Sequence, residues 1–197
     1  MKLVRAFVAV PLPEATCRAL NPLRRQLAHD LPEVHWSRLE TLHLTLRYFG
    51  DLPEETLEKI GGIMLSIGLS HAPFVAALRG IGVFPEPQRA RVFWLGIHDQ
   101  GGLAALYADL ERRLPEIGIP REVRPFTPHL TLGRHRGRGL PVGPVLKRYQ
   151  EEVGEPLTID QIVLFESRLQ PSGALHLPRR RVVLEGGGAG ATGPAGS

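Results

Sequence analysis

His43-Leu44-Thr45-Leu46 occurs twice, returning as His129-Leu130-Thr131-Leu132. Each copy sits in a stretch whose apolar residues alternate, Leu42 to Phe49 and Phe126 to Leu132, and that alternation predicts a β-strand. Side chains at i and i+2 of a strand share a face. His43 and Thr45 therefore point one way while Leu44 and Leu46 point into a core, and the same division holds for His129 and Thr131 against Leu130 and Leu132. A tetrapeptide repeated on two strands predicts an approximate duplication, two similar lobes facing each other.

Outward from the two motifs, further elements follow from periodicity and punctuation. Leu3 to Val10 reads as a strand closed by Pro11 and Pro13. Ala15, Ala19, Leu20, Leu23 and Leu27 recur at helical spacing and predict one helix from Glu14 to about His29. Val34 to Trp36 is a short extended piece. The first motif strand is expected to stop at Gly50-Asp51, after which Pro53 opens a helix carrying Leu57, Ile60, Met64 and Ile67 on one face. Phe74 to Val83 and Arg91 to Ile97 read as strands, Leu103 to Leu114 as a helix, and Val142 to Tyr149 as a short helix. Leu157 to Leu169 reads as one long strand and Ala174 to Leu184 as the last. Helices set among strands that can pair as hairpins predict an α+β fold with largely antiparallel sheet. No linker divides the chain, so residues 1–184 are read as a single domain. Residues 185–197, ending GGGAGATGPAGS, have no apolar periodicity and read as a flexible Gly/Ala-rich tail.

Composition narrows the function classes. One cysteine, Cys17, rules out an internal disulfide and argues against a cysteine-based metal site; it is read as a packing residue on a helix face. The apolar run Ala6 to Val10 is too short for a signal peptide, and no apolar stretch is long enough to span a membrane, so the chain is expected to be soluble, cytoplasmic and monomeric, with no obligate protein partner. The net charge is +4. Arg121, Arg124, Arg134, Arg136, Arg138, Lys147 and Arg148 oppose the single acid Glu122 between positions 121 and 148, a cluster that would attract a polyanion.

A leucine-backed histidine beside a threonine is a platform for proton transfer. The imidazole gains or loses a proton near neutral pH, and the hydroxyl can donate to an oxyanion. Two such platforms suit cleavage of a cyclic phosphodiester, which needs a base for the attacking water and an acid for the departing ribose oxygen on opposite sides of phosphorus. Each is worth roughly 10²- to 10⁴-fold in rate, and the threonines would hold the non-bridging oxygens. The rival for paired histidines is a metal site. Neither strand motif contains Asp or Glu, and no His-Glu-x-x-His run is present, so no metal and no cofactor is expected.

At these residues the sequence resembles the 2H phosphoesterase superfamily and, within it, the RNA 2′,3′-cyclic phosphodiesterase (2′-5′ RNA ligase-like) family. The resemblance rests on Arg5-Ala6-Phe7-Val8-Ala9, on Trp36 ahead of Leu42 to Gly50, on Phe126 to Arg134, and on Leu164 to Leu169 followed by Gly173. It implies a bilobal fold of two largely antiparallel sheets with flanking helices, pseudo-twofold symmetry and an active cleft between the lobes. It implies His43 as general acid on the 3′ oxygen, His129 as general base, and a 2′-phosphate product from RNA or oligonucleotide ends. Thr45 and Thr131 would bind phosphate oxygens, and Arg134 would add charge. Strict alternation puts Arg136, not Arg134, on the histidine face, unless Gly133 permits a bulge; both are kept as candidates. Phe7 is a candidate for stacking on a base, with a core phenylalanine as the other reading. Arg47 is read either as a weaker site candidate or as a solvated strand-end arginine. The role of His176 is left open. Two other functions remain beside hydrolysis: 2′-5′ RNA ligation by the same histidines, and non-catalytic RNA binding.

Overall fold

The computed structural model describes residues 2–149, 156–170 and 173–186. Its elements are β1 (Leu3–Pro11), α1 (Glu14–Ala19), α2 (Asn21–Asp30), β2 (His35–Trp36), β3 (His43–Pro53), α3 (Glu54–Ser70), β4 (Phe74–Phe84), β5 (Val92–His98), α4 (Gly102–Arg113), β6 (His129–Arg134), α5 (Gly143–Arg148), β7 (Leu157–Ile159), β8 (Gln161–Gln170) and β9 (Gly173–Val183). The fold is α+β, and every strand pair is antiparallel.

The strand order, β7-β4-β5-β6-β3-β1-β8-β9 with β2 added on β6, reads as two four-stranded halves. They join where Leu44 of β3 pairs with Leu130 of β6. About that junction β3 exchanges with β6, β1 with β5, β8 with β4 and β9 with β7, which is the expected pseudo-twofold arrangement of two lobes. β7 lies at one end of the path and β8 near the other, yet a single residue, Asp160, separates them in sequence. Only a strongly curled sheet brings those strands together, and the two motif strands then run along its middle.

The helices cover the face to which the motif leucines point. Leu57, Ile60, Met64 and Ile67 of α3 are buried, as their spacing predicts, and α3 packs on β1, β3, β8 and β9. That approach is close: a Cβ on Gly68 would lie 2.5 Å from both the Val182 side chain and the Val183 carbonyl. Leu44, Leu46, Leu130 and Leu132 join this core, and Cys17 is buried and unpaired.

Four expectations need correction. The helix over 14–29 is two helices, because Pro22 has no N–H to give and its ring clashes with the carbonyl four residues back. The chain breaks at Leu20, and Pro22 falls in the first turn of α2. β3 does not stop at Gly50-Asp51. Gly50 takes a left-handed φ of 74° at a register slip where Ala6 pairs Gly50 and Phe7 pairs Tyr48, so the strand bulges and continues to Pro53. The strand expected from Phe126 begins only at His129. Finally, the strand over 157–169 is two strands in different halves, since Leu157–Ile159 pair with β4 while Val163–Glu166 pair with β1. Of the expected tail, residues 187–197 lie outside the described residues. Glu185 and Gly186 are tied to the end of α3, their N–H groups donating to the Gly68 and His71 carbonyls at 2.8 and 3.0 Å.

Candidate active site

Residues paired across an antiparallel ladder project to the same face. Since Leu44 and Leu130 are such a pair and both point into the core, His43, Thr45, His129 and Thr131 must all stand on the opposite, concave face. Extending that register by one residue each way sets His43 opposite Thr131 and Thr45 opposite His129. The two histidines are then diagonal neighbours, a relation that places side chains roughly 7–8 Å apart. A phosphate between them would meet one imidazole and one hydroxyl on each side.

The histidines are held in the same way. The His43 Nδ1–H donates to the Thr41 carbonyl at 2.8 Å, and the His129 Nδ1–H donates to the Thr127 carbonyl at 2.6 Å. A carbonyl can only accept, so Nδ1 carries the proton in each ring and Nε2 is the nitrogen left for proton transfer. Sequence reasoning missed these two anchors, each two residues upstream of its histidine. Burial pushes His43 down to about 4, opposed by the Thr41 hydrogen bond and assisted by His176. His129 is lowered by burial first, opposed by the Thr127 carbonyl and assisted by the charge of Arg134.

Aromatic walls back both rings. His43 lies 4.8 Å from Phe7, 5.1 Å from His176 and 6.3 Å from Phe165, measured between ring centroids. His129 lies 5.3 Å from Phe84 and 6.0 Å from Trp94. The walls are related by the pseudo-symmetry, β1 and β8 on one side and β5 and β4 on the other. Phe84, Trp94 and Phe165 were not singled out from the sequence, because their nearness to a histidine comes from strand neighbours far along the chain. Phe7 is 3% exposed and packed between Phe165 and His43. It is a wall of the histidine pocket, with little ring surface left for a base.

The arginines separate. β6 carries one extra residue opposite β5, since Gly133 pairs Phe93 and Thr131 pairs Trp94. Leu132 and Gly133 are consecutively buried, and a Cβ on Gly133 would lie 2.8 Å from Val34 and 2.9 Å from Trp36 on the core side. The bulge thus turns Arg134 onto the histidine face, where its charge reaches His129. Arg136 is exposed in the loop beyond β6. Arg47 is not a solvated strand end. Its side chain is 11% exposed and paired with Glu111 at 3.2 Å and Glu122 at 3.0 Å, and it donates to the Pro120 carbonyl at 2.9 Å. The Glu111 contact is a charge pairing without hydrogen-bond alignment. Glu111 also accepts from the Glu122 N–H at 2.7 Å, so this cluster fastens the segment that leads into His129.

Among the described residues, no group of three or more His, Cys, Asp or Glu side chains is placed to hold a metal ion. No helix among them is long and apolar enough to cross a membrane. Two open surface pockets, about 460 Å³ beside His71 and Phe74 and about 550 Å³ beside Arg25 and Tyr149, lie away from both motifs.

The family model for the 2′-5′ RNA ligase superfamily matches residues 12–170, a span that contains both histidine motifs. The chain belongs to that superfamily. This superfamily is one of 2H phosphoesterases. An RNA 2′,3′-cyclic phosphodiesterase of Methanothermobacter thermautotrophicus is 32% identical over 176 residues, covering 88% of this chain and 95% of its own. A protein of the same name from Thermus thermophilus is 32% identical over 93% of this chain and 91% of its own. Against a longer relative from Geobacillus stearothermophilus, the chain spans 54% of the relative's length. Among solved structures, the protein TT0787 of Thermus thermophilus superposes with a TM-score of 0.80 at 28% identity, covering 92% of this superfamily member and 98% of itself. LigT of E. coli with 3′-AMP gives 0.76 at 21% identity, covering 93% and 99%, which is a likeness of fold.

Proposed function

We propose that the protein hydrolyses RNA 2′,3′-cyclic phosphate ends to 2′-phosphomonoesters by metal-independent acid–base catalysis. His129 removes a proton from the attacking water, and His43 protonates the departing 3′ oxygen. Thr45, Thr131 and Arg134 hold the non-bridging oxygens, whose negative charge builds as the bond to water forms. The observation that carries this reading is the matched anchoring of two histidines on one face, each with Nδ1–H committed to a carbonyl and Nε2 left to exchange a proton. The names of the relatives at 32% identity support the substrate class.

The acid role requires a protonated His43, and burial opposes that charge, favouring the neutral ring near neutral pH. A bound phosphate anion acts in the opposite sense, stabilising the imidazolium. Protonation of His43 is therefore coupled to substrate binding, while His129, beside Arg134, keeps its lone pair for the water.

The test is the identity of the product from a short oligonucleotide ending in a 2′,3′-cyclic phosphate. A 2′-phosphate supports the assignment of acid and base. A 3′-phosphate reverses it, and absence of turnover removes the hydrolase reading. Ligation to a 5′-hydroxyl strand uses the same groups with a ribose hydroxyl in place of water. Adding such a strand should leave hydrolysis the main outcome.

A further inference from the structure

The two motifs are matched in sequence, anchoring and aromatic backing, yet the reaction asks different things of the two histidines. The site contains one marked asymmetry on the His43 side. The rings of Phe7, His43 and His176 form a nearly equilateral group with centroid separations of 4.8, 4.9 and 5.1 Å. His176 stands perpendicular to both of the others, at 83° to Phe7 and 82° to His43. β9 carries it there by pairing His176 with Ser167. The outer strand of the other half, β7, pairs with residues 74–76, far along β4 from the Phe84 that touches His129.

His176 differs from the motif histidines in a second way. Its Nδ1 is buried and has no hydrogen-bond partner among the described residues. A buried polar atom without a partner is uncommon and costly, and it persists where something other than stability holds it. Among the described residues, neither a carbonyl nor a carboxylate accepts from this Nδ1. The charged groups on the surrounding strands are engaged elsewhere. Arg168 of β8 and Arg179 of β9 hold Glu166, Arg5 of β1 holds Asp51 of β3, and Arg47 holds Glu111 and Glu122. Farther along β9, Arg180 holds Glu58 and Arg181 contacts Gln161. Among the described residues, the titratable group left facing His176 is His43.

We propose that His176 is a positioning residue acting through His43: it fixes the ring against Phe7 and sets its affinity for the proton, so that the two motif histidines play unequal parts. This rests on the two-histidine reading above. When His176 carries a proton, it disfavours a second on His43, in accord with the direction in which it moves His43. Burial lowers His176 as well. The pair then holds one proton more readily than two, and the incoming phosphate favours that proton on His43.

The test is a ring-NMR titration of His43 in the substrate-free protein, comparing wild type with His176→Phe, His176→Gln and His176→Ala. Removing the neighbouring charge should move the His43 midpoint upward by about half a pH unit or more in all three. In activity assays, His176→Ala should lower kcat by about tenfold or more with KM within about twofold, because the ring is loosened. His176→Phe should recover most of that loss while keeping the shifted pH profile. An unmoved His43 midpoint in both His176→Phe and His176→Gln overturns the proposal, even if activity falls. The titration needs no substrate, so a protein that turns over no cyclic phosphate would defeat the hydrolase reading and leave this result standing.

Discussion

Leu44 pairs with Leu130 across the junction of the two sheet halves, and neither side chain is exposed to any measurable extent. That pair fixes which residues share the concave face, so the geometry of the site depends on two leucines that never meet substrate. Truncating either to Ala should cost about 2–5 kcal/mol, a fall of several degrees in melting temperature. The loss of kcat should exceed what the unfolded fraction explains, because the histidines then lose their common platform. Thermal melts and kcat on the same samples check this, with Leu57→Ala, buried on α3 away from the junction, as the comparison.

Stability should depend on pH through the half-buried His43. His43 is held down to about 4 in the folded protein, against an ordinary value of 6.5. Between those values the unfolded chain binds the proton and the folded chain does not, so stability is complete above 6.5 and falls as pH drops toward 4. At about 1.4 kcal/mol per pH unit of separation, the full loss from this one group is of order 3 kcal/mol. Urea unfolding at about pH 7.5 and about pH 5 measures the difference, and His43→Gln should flatten it.

Catalysis should show a related separation between two pH profiles. The kcat/KM profile reports the free enzyme and the kcat profile reports the bound complex. Because a bound anion favours the imidazolium, the limb set by His43 should lie at higher pH in kcat than in kcat/KM. Coincident limbs would mean that His43 does not protonate on binding.

Arg47 predicts a structural loss. Its removal leaves Glu111, 9% exposed, without its cation, while Glu122 keeps Arg124. Breaking a buried pair by deleting one partner costs roughly 3–5 kcal/mol. Arg47→Ala should therefore melt well below wild type, and a second change, Glu111→Gln, should recover part of that loss. A melting temperature unchanged in Arg47→Ala would return this residue to the solvent-exposed reading.

Arg134 predicts a binding loss instead. Arg134→Ala should raise KM by about tenfold or more with the fold intact, as loss of a charge-assisted contact of about 1.5–3 kcal/mol would. Arg136→Ala should change it far less. Gly133→Val, which would drive a side chain into Val34 and Trp36, should undo the bulge and reproduce the Arg134→Ala effect together with a loss of stability.

Much of this was legible in the sequence, and the limits have physical causes. That both histidines and both threonines share one face was legible in the His-x-Thr repeats, because strand alternation is local and each motif's leucines name its buried face. The face of α3 was legible for the same reason. Where the account depended on the partner rather than the segment, it did not follow. The break at Asp160 could not be read, since Leu157–Ile159 and Gln161–Gln170 both have strand-like composition, no glycine or proline parts them, and they differ in which half they join. Arg47 meets acids more than sixty residues onward. Arg134 hinged on a bulge that Gly133 permits without requiring. The walls at Phe84, Trp94 and Phe165 obey alternation, yet only the strand order brings them to the histidines.

The measurement that bears most directly on the central claim is single-turnover cleavage of a cyclic-phosphate oligonucleotide in excess chelator by wild type, His43→Ala and His129→Ala. Two-histidine catalysis without metal predicts full wild-type activity in chelator and a loss of roughly 10²- to 10⁴-fold in each variant, with binding of the oligonucleotide retained. Activity that disappears with chelator, or that survives the loss of either histidine, would contradict it.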